Sequence, residues 1–185
     1  MVANFSGRQS ECEEIMGHVT SYKKAPDQCS EKTPSYQVHK KALPAYYEDL
    51  GNTQHSTGNL KGALDYEQRA LDIGLKRLFG EEYASTADSY HNLGITQHLL
   101  GNFNATLGSK QHALDIDLKL FGDEHAVTAD SYHNLGTTQH SLGNFNAALD
   151  SKQQARDIRL KLFGEEHTVT ADSYHNLGTD RKSVV

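Results

Sequence analysis

From Ala45 onward the apolar positions fall at helical spacings. Ala87, Tyr90, Leu93, Gly94 and Leu100 follow steps of 3, 3, 1 and 6, which is one face of a helix. Gly101 and Asn102 then break the pattern. A glycine suits the residue just past a helix, and an asparagine suits the N-cap of the next one. A second apolar stripe follows at Phe103, Leu107, Leu114, Leu118 and Phe121, widened by Ala113, Ile116 and Leu120, and Gly122 stops it. Asp123 and Glu124 place negative charge just ahead of the next helix, where its dipole favours it. No proline occurs after Pro44, so long helices are permitted. The pattern predicts helix, tight turn, helix, short loop.

That unit is written more than once. The octet Ala-Asp-Ser-Tyr-His-Asn-Leu-Gly runs from Ala87 to Gly94, Ala129 to Gly136 and Ala171 to Gly178, 42 residues apart each time. Residues 88–129 and 130–171 differ only at Ile95, Leu99, Thr106, Gly108, His112, Leu114, Asp117, Asp123 and Ala126, nine positions of 42. A worn copy lies upstream, around Leu50-Gly51, Gly58, Leu64, Ala70, Leu71 and Ile73, with one extra residue near Gly74. A fixed period of this length predicts a solenoid. Whole repeats are placed at 45–87, 88–129 and 130–171, with a lone first helix at 171–179, in an array over 45–180. Residues 1–44 form an arm of low order, with a helix over Glu11–Val19 and a linker over 23–41, and 181–185 form a tail.

Ten glycines fall in three registers, 51/94/136/178, 58/101/143 and 80/122/164. The last two are turns. The first lies inside a helix, where glycine costs ~1 kcal/mol against alanine, so close approach of the partner helix is expected there. The extra residue predicts an irregular second helix at Gly74 or a displaced loop near Arg77.

Composition narrows the function. A net charge of −6 and a pI near 6.0 argue against nucleic acid, which needs a concentrated basic surface. No apolar run suggests a signal peptide or a membrane span. Cys12 and Cys29 read as free thiols of a cytoplasmic chain. No phosphate loop or nucleophile elbow occurs. Asp172, Ser173 and His175 have the letters of a triad, but on one helix they point apart. The reading is not an enzyme, with no cofactor and no metal.

Leu-Gly in the first helix, Gly-Asn-Phe at the turn and Ala-Leu-Asp-Ile in the second helix resemble a tetratricopeptide repeat (TPR). The extension Leu-Lys-Leu-Phe-Gly-Glu-Glu-His at 160–167 resembles the long-repeat subtype of kinesin light chains and nephrocystin. The resemblance implies an all-α, right-handed helix-turn-helix superhelix of three repeats plus a C-terminal half-repeat. Its structural core would include Tyr90, Leu93, Gly94, Phe103, Tyr132, Leu135, Gly136 and Phe145. The chain departs from the pattern where Ala126 and Thr168 replace a proline. Gln54, Gln97 and Gln139 replace a tyrosine, and Glu67, Lys110 and Lys152 replace an aromatic. Those long polar residues are expected to bury their stems and send their heads to water.

The resemblance also implies a concave groove lined by first helices. Its stripe would be Asp88, His91, Ile95 and His98, then Asp130, His133, Thr137 and His140, flanked by Asn92 and Asn134. By resemblance, His91-Asn92 and His133-Asn134 occupy the place of an asparagine pair that holds peptide backbone. The expected function is a non-enzymatic scaffold binding a peptide or partner protein, or more narrowly a kinesin-light-chain-like cargo adaptor. From another class, eleven histidines suggest a weak metal-binding or pH-responsive array. His125 and His167 are expected to pack in loops. Phe5-Ser-Gly-Arg8 to Glu11 resembles the opening of NB-ARC or NACHT signalling NTPases, as a vestige or a chance match. Ser183-Val184-Val185 fits a PDZ-type C-terminus or a frayed tail.

Overall fold

The computed structural model describes residues 34–74 and 84–181, with side chains over 44–74 and 84–177. The helix over Glu11–Val19, the NTPase-like opening, both cysteines, Arg77 and the terminal Ser-Val-Val lie outside the described residues. Seven helices and no strand are found among those described. They are α1 (Pro34–Ser56), α2 (Leu60–Ile73), α3 (Ala84–Leu99), α4 (Phe103–Phe121), α5 (Ala126–Ser141), α6 (Phe145–Phe163) and α7 (Thr168–Arg181). The pairs α1/α2, α3/α4 and α5/α6 are helical hairpins, each packed on the next, and α7 packs on α6. This is a helix-turn-helix solenoid with a C-terminal half-repeat.

The three hairpin turns are one structure repeated. Gly58, Gly101 and Gly143 sit at φ 79°, 76° and 78°, the left-handed conformation that glycine adopts freely. At the middle turn the Gly101 N–H donates to the His98 carbonyl and the Asn102 N–H to the Gln97 carbonyl, both at 2.9 Å. That pair of bonds satisfies carbonyls otherwise orphaned at a helix end. Asn59 caps α2 by accepting from the Gly62 N–H at 3.2 Å. Asn102 and Asn144 occupy the same position, but their side chains make no capping bond. The glutamines that replace tyrosine work here too. Gln97 and Gln139 accept from Ser109 and Ser151 at 2.8 Å, and Gln54 accepts from Asn59 at 2.6 Å.

The loops between hairpins close differently. Gly122 and Gly164 end α4 and α6 at φ 81° and 80°. His125 then caps α5, its Nδ1 accepting the Val127 N–H at 3.2 Å, while its ring stacks on Phe121 at 4.7 Å. His167 repeats both contacts, with Val169 at 3.3 Å and Phe163 at 4.8 Å. Leu120, Phe121, Leu162 and Phe163 remain exposed, although the apolar stripe includes this turn. The second helices α4 and α6 are 19 residues long against 16 for α3 and α5. In the last turn Phe121 and Phe163 stack on the loop histidines, and Lys161 of α6 reaches Glu124 of the preceding loop at 2.8 Å.

α1 begins at Pro34 and so reaches back into the stretch read as linker. Proline costs nothing at a first helical position, where the N–H has no partner anyway. Farther along α1, Tyr47 packs on Ala70, with Tyr46, Leu50, Tyr66 and Ile73 around them. At the far end of α2 the Gly74 N–H is shared between the Ala70 and Leu71 carbonyls. Leu177 of α7 is buried, whereas Tyr174 is exposed and holds the Arg156 guanidinium 5.6 Å over its ring.

Candidate functional site

The first helices place their residues on three sides. Leu93, Gly94, Leu135 and Gly136 are buried against the second helix of the same hairpin, while Tyr90, Tyr132, Phe103 and Phe145 are half-buried. The helix-interior glycines admit a side chain. A Cβ on Gly94 would stand 2.9 Å from Cε of Lys110, one on Gly136 would stand 2.7 Å from Cγ of Lys152, and one on Gly51 would stand 3.0 Å from Cγ of Glu67. Glycine in α3 and an outsized polar residue in α4 are therefore two halves of one contact.

The heads of those polar residues do not reach water, contrary to expectation. Lys110 is 5% exposed and its Nζ donates to the His91 carbonyl at 2.9 Å. Burial pushes its amine down to about 8. Glu67 is 6% exposed and accepts from the Thr96 hydroxyl of the next repeat at 2.9 Å. Burial pushes its carboxyl up to about 7 despite that bond. Lys152 is buried as well. The slot opened by a helix-interior glycine encloses the whole stem and leaves the head inside.

A second side faces the neighbouring repeat. Ser89, Ser131 and Ser173 are homologous, and each is buried at a joint. In the first joint Ser89 donates to Glu48 at 2.6 Å. In the second, Ser131 donates to buried Asp117, and His91 Nε2 lies 3.0 Å from the Ser131 hydroxyl and 3.4 Å from the Asp117 carboxylate. In the third, Arg159 donates to Ser173 at 2.9 Å and to Asp130 at 2.6 Å. Gly74, Asp117 and Arg159, spaced by 43 and 42, occupy one structural position. Where Gly74 stands, a cavity of about 180 Å³ opens beside Pro44, Leu71 and Ser89.

Serine, histidine and aspartate thus do meet, at 131, 91 and 117 and not along 172–175. Their geometry is not that of a hydrolytic relay, which needs the acid on one ring nitrogen and the serine on the other. Here both crowd Nε2, Nδ1 is buried without a partner, and Ser131 is 0% exposed. The trio holds repeats together.

The third side is open. In α3 it carries Asp88, Asn92, Ile95 and Leu99 at steps of 4, 3 and 4, and in α5 Asp130, Asn134, Thr137 and Ser141. All are exposed except the half-buried asparagines. His91 turns from this stripe into the joint. His98 and His140 are half-buried, edge-on to Phe103 and Phe145 at 5.1 Å, and His133 is half-buried. Thr137 also bonds the His133 carbonyl at 3.0 Å. Sequence reasoning gave no joint role to Thr96, Asp117, Ser131 and Arg159, and placed the head of Glu67 in water. Asp117 against Arg159 was the available signal, a charge reversal between copies that otherwise agree. Among the described residues no group of three or more His, Cys, Asp or Glu could hold a metal ion, and no helix is long and apolar enough to cross a membrane.

Comparison with known proteins agrees with this architecture. The tetratricopeptide repeat family matches residues 41–118 and 106–161. No curated protein matches the sequence. Among solved structures, BtubC (BKLC) from P. vanneervenii superposes with a TM-score of 0.73 at 24% identity, over 96% of this chain and 68% of that one. A Podosopora anserina protein assigned as a kinesin light chain with nearly identical TPR-like repeats gives 0.69 at 20%, over 98% and 81%. The apo form of RapI gives 0.66 at 17%, over 93% and 45%. At these identities the likeness is one of fold.

Proposed function

Because this chain belongs to the tetratricopeptide repeat family, we propose that it is a non-enzymatic scaffold holding an extended peptide, or an extended segment of a partner protein, along the open faces of its first helices. One observation carries the reading. The stripe Asp88, Asn92, Ile95, Leu99 and its copy in α5 lie outside both packing surfaces, except that Asp130 also takes the Arg159 guanidinium at a joint, while the flanking residues are committed to those surfaces. A rigid array that repeats an outward stripe offers one extended surface. Asn92 and Asn134 suit main-chain recognition, since an amide donates and accepts at once and pairs with any extended backbone. The narrower reading as a kinesin-light-chain-like cargo adaptor has fold in its support and no residue, so the general reading is preferred.

The experiment is a pull-down with the full chain and with Asn92→Ala/Asn134→Ala. Capture of a partner by the wild type, its loss in the double variant and unchanged helicity are expected. Undiminished capture by the variant would move the site elsewhere.

A further inference from the structure

The open faces also select a ligand chemistry, provided that they are the binding groove proposed above. Along the open stripe α3 and α5 are copies except at two places. Ile95 and Leu99 of α3 stand where α5 has Thr137 and Ser141, and where α1 has Asn52 and Ser56, 43 residues earlier. Both differences exchange a large apolar side chain for a small polar one. Ile95 is 47% exposed and Leu99 53%, the two highest values among the exposed large hydrophobics of the described residues. Four residues apart on a helix, they form one patch. Among the stripe positions compared in α1, α3 and α5, those of α3 alone present an apolar step, with polar residues at the same places on either side.

The rim of that step is acidic. Asp88 lies on the same stripe, two turns before Ile95. Asp130 holds the equivalent place in α5, its side chain 64% exposed even while it accepts from Arg159. Neither α3 nor α5 contains a lysine or arginine. Asp130 is offset by Arg159, so Asp88 is the carboxylate of this rim that attracts positive charge and repels negative charge.

We infer that the ligand is an extended segment with a single aliphatic or aromatic side chain seated on Ile95 and Leu99 and a lysine or arginine beside it, reached by Asp88. The patch supplies the position along the array, because the hydrogen-bonding stripe is alike in the neighbouring repeat and cannot set register by itself. A peptide that pairs equally well with Asn92 and Asn134 is fixed in place by where its apolar residue finds an apolar seat.

The test is selection of random twelve-residue peptides displayed on phage against the full chain and two variants. I95T/L99S writes the side chains of α5 into α3, and T137I/S141L does the reverse, so each variant uses residues the same helix already tolerates. The wild type is expected to enrich peptides with one apolar residue next to a lysine or arginine. I95T/L99S should lose the apolar preference, and a synthetic peptide from the wild-type selection should bind it at least about tenfold more weakly, on the scale of one buried side chain. T137I/S141L should add a second apolar preference about three residues away, since neighbouring helices lie on the order of 10 Å apart and an extended residue spans ~3.3 Å. Enriched peptides without an apolar residue, with an acidic neighbour in place of the basic one, or with a preference that survives I95T/L99S would overturn the inference while leaving the groove standing. Failure of the wild type to enrich any peptide would remove the groove reading and the inference together.

Discussion

Alanine at Gly94 and alanine at Gly136 are the same substitution in two almost identical repeats, and they should not cost the same. Both relieve the ~1 kcal/mol penalty of glycine in a helix interior. They differ in what the new methyl meets. At Gly94 the nearest atoms are Cε and Cδ of Lys110, at 2.9 and 3.2 Å, and Cγ at 3.5 Å. Those are the outer carbons of a chain that can swing, at the expense of the Nζ bond to the His91 carbonyl. At Gly136 the nearest atom is Cγ of Lys152 at 2.7 Å, followed by the Ala148 carbonyl oxygen at 3.0 Å and Ser151 Cβ at 3.3 Å. The Ala148 oxygen and Ser151 Cβ do not move without shifting α6, and Lys152 Cγ moves only if the whole buried side chain turns about its first bond.

Overpacking that displaces backbone costs about 1–3 kcal/mol. Set against the helix gain, Gly136→Ala should destabilise by up to about 2 kcal/mol. Gly94→Ala should stay within about 1 kcal/mol of the wild type, because the loss of one hydrogen bond offsets a similar propensity gain. Urea unfolding followed by helical circular dichroism measures both, provided the slopes agree among the three proteins. A loss at Gly94 equal to or larger than that at Gly136 would refute the argument that the outermost atom of the intruding side chain sets the cost.

Buried groups give three more expected outcomes. Glu67 titrates near 7 when folded, above its ordinary 4.5, so its contribution is complete below about pH 4.5 and lost as pH rises through 7. Glu67→Gln should flatten that part of the stability profile, and an unchanged slope between pH 5 and 8 would exclude this carboxyl as its source. Asp117→Arg should be tolerated better than Asp117→Ala. The arginine finds Ser131 and Asp88 where Arg159 finds Ser173 and Asp130, whereas alanine removes the buried acceptor that Ser131 and His91 share and leaves them only each other, at a cost of about 1–3 kcal/mol; a lower melting temperature for the arginine variant would count against this. Leu135→Ala, at a fully packed position, should cost about 2–5 kcal/mol in the same unfolding assay.

The hairpins were legible in the sequence because their signals are local. Glycine at a left-handed turn, asparagine after it and a 3.6-residue apolar rhythm act within a few residues of chain. The limits of the helices were harder. α1 starts as early as Pro34 because an N-terminal proline carries no penalty, and the apolar stripe includes Phe121 and Phe163 although both stay exposed beside a loop histidine. The half-buried histidines show a deeper difficulty. His91 and Asn92 are adjacent letters, but a 100° turn of the helix puts one into a joint and leaves the other beside the open stripe. Periodicity gives that angle only to within about one residue. The fate of Glu67 and Lys110 was hidden for another reason. Whether a long polar side chain escapes to water depends on the depth of the slot opposite, which belongs to a different helix.

Near-identity of repeats creates a problem of order that the polar joints address. Two hairpins that agree at all but nine of 42 positions could exchange places with little change in apolar contact. The joints are where exchange is felt. Glu48 with a glycine opposite, His91 with Asp117, and Arg159 with Asp130 are three different charge arrangements around the same serine. Hydrophobic burial is insensitive to such permutation, since it counts area and not partners. Buried polar groups are sensitive to it, because each unmet donor or acceptor costs more than a met one contributes. The open stripe follows the same division. Its amides repeat and carry no address, while Ile95 and Leu99 occur once, so position along the solenoid is written in the few places where the copies disagree.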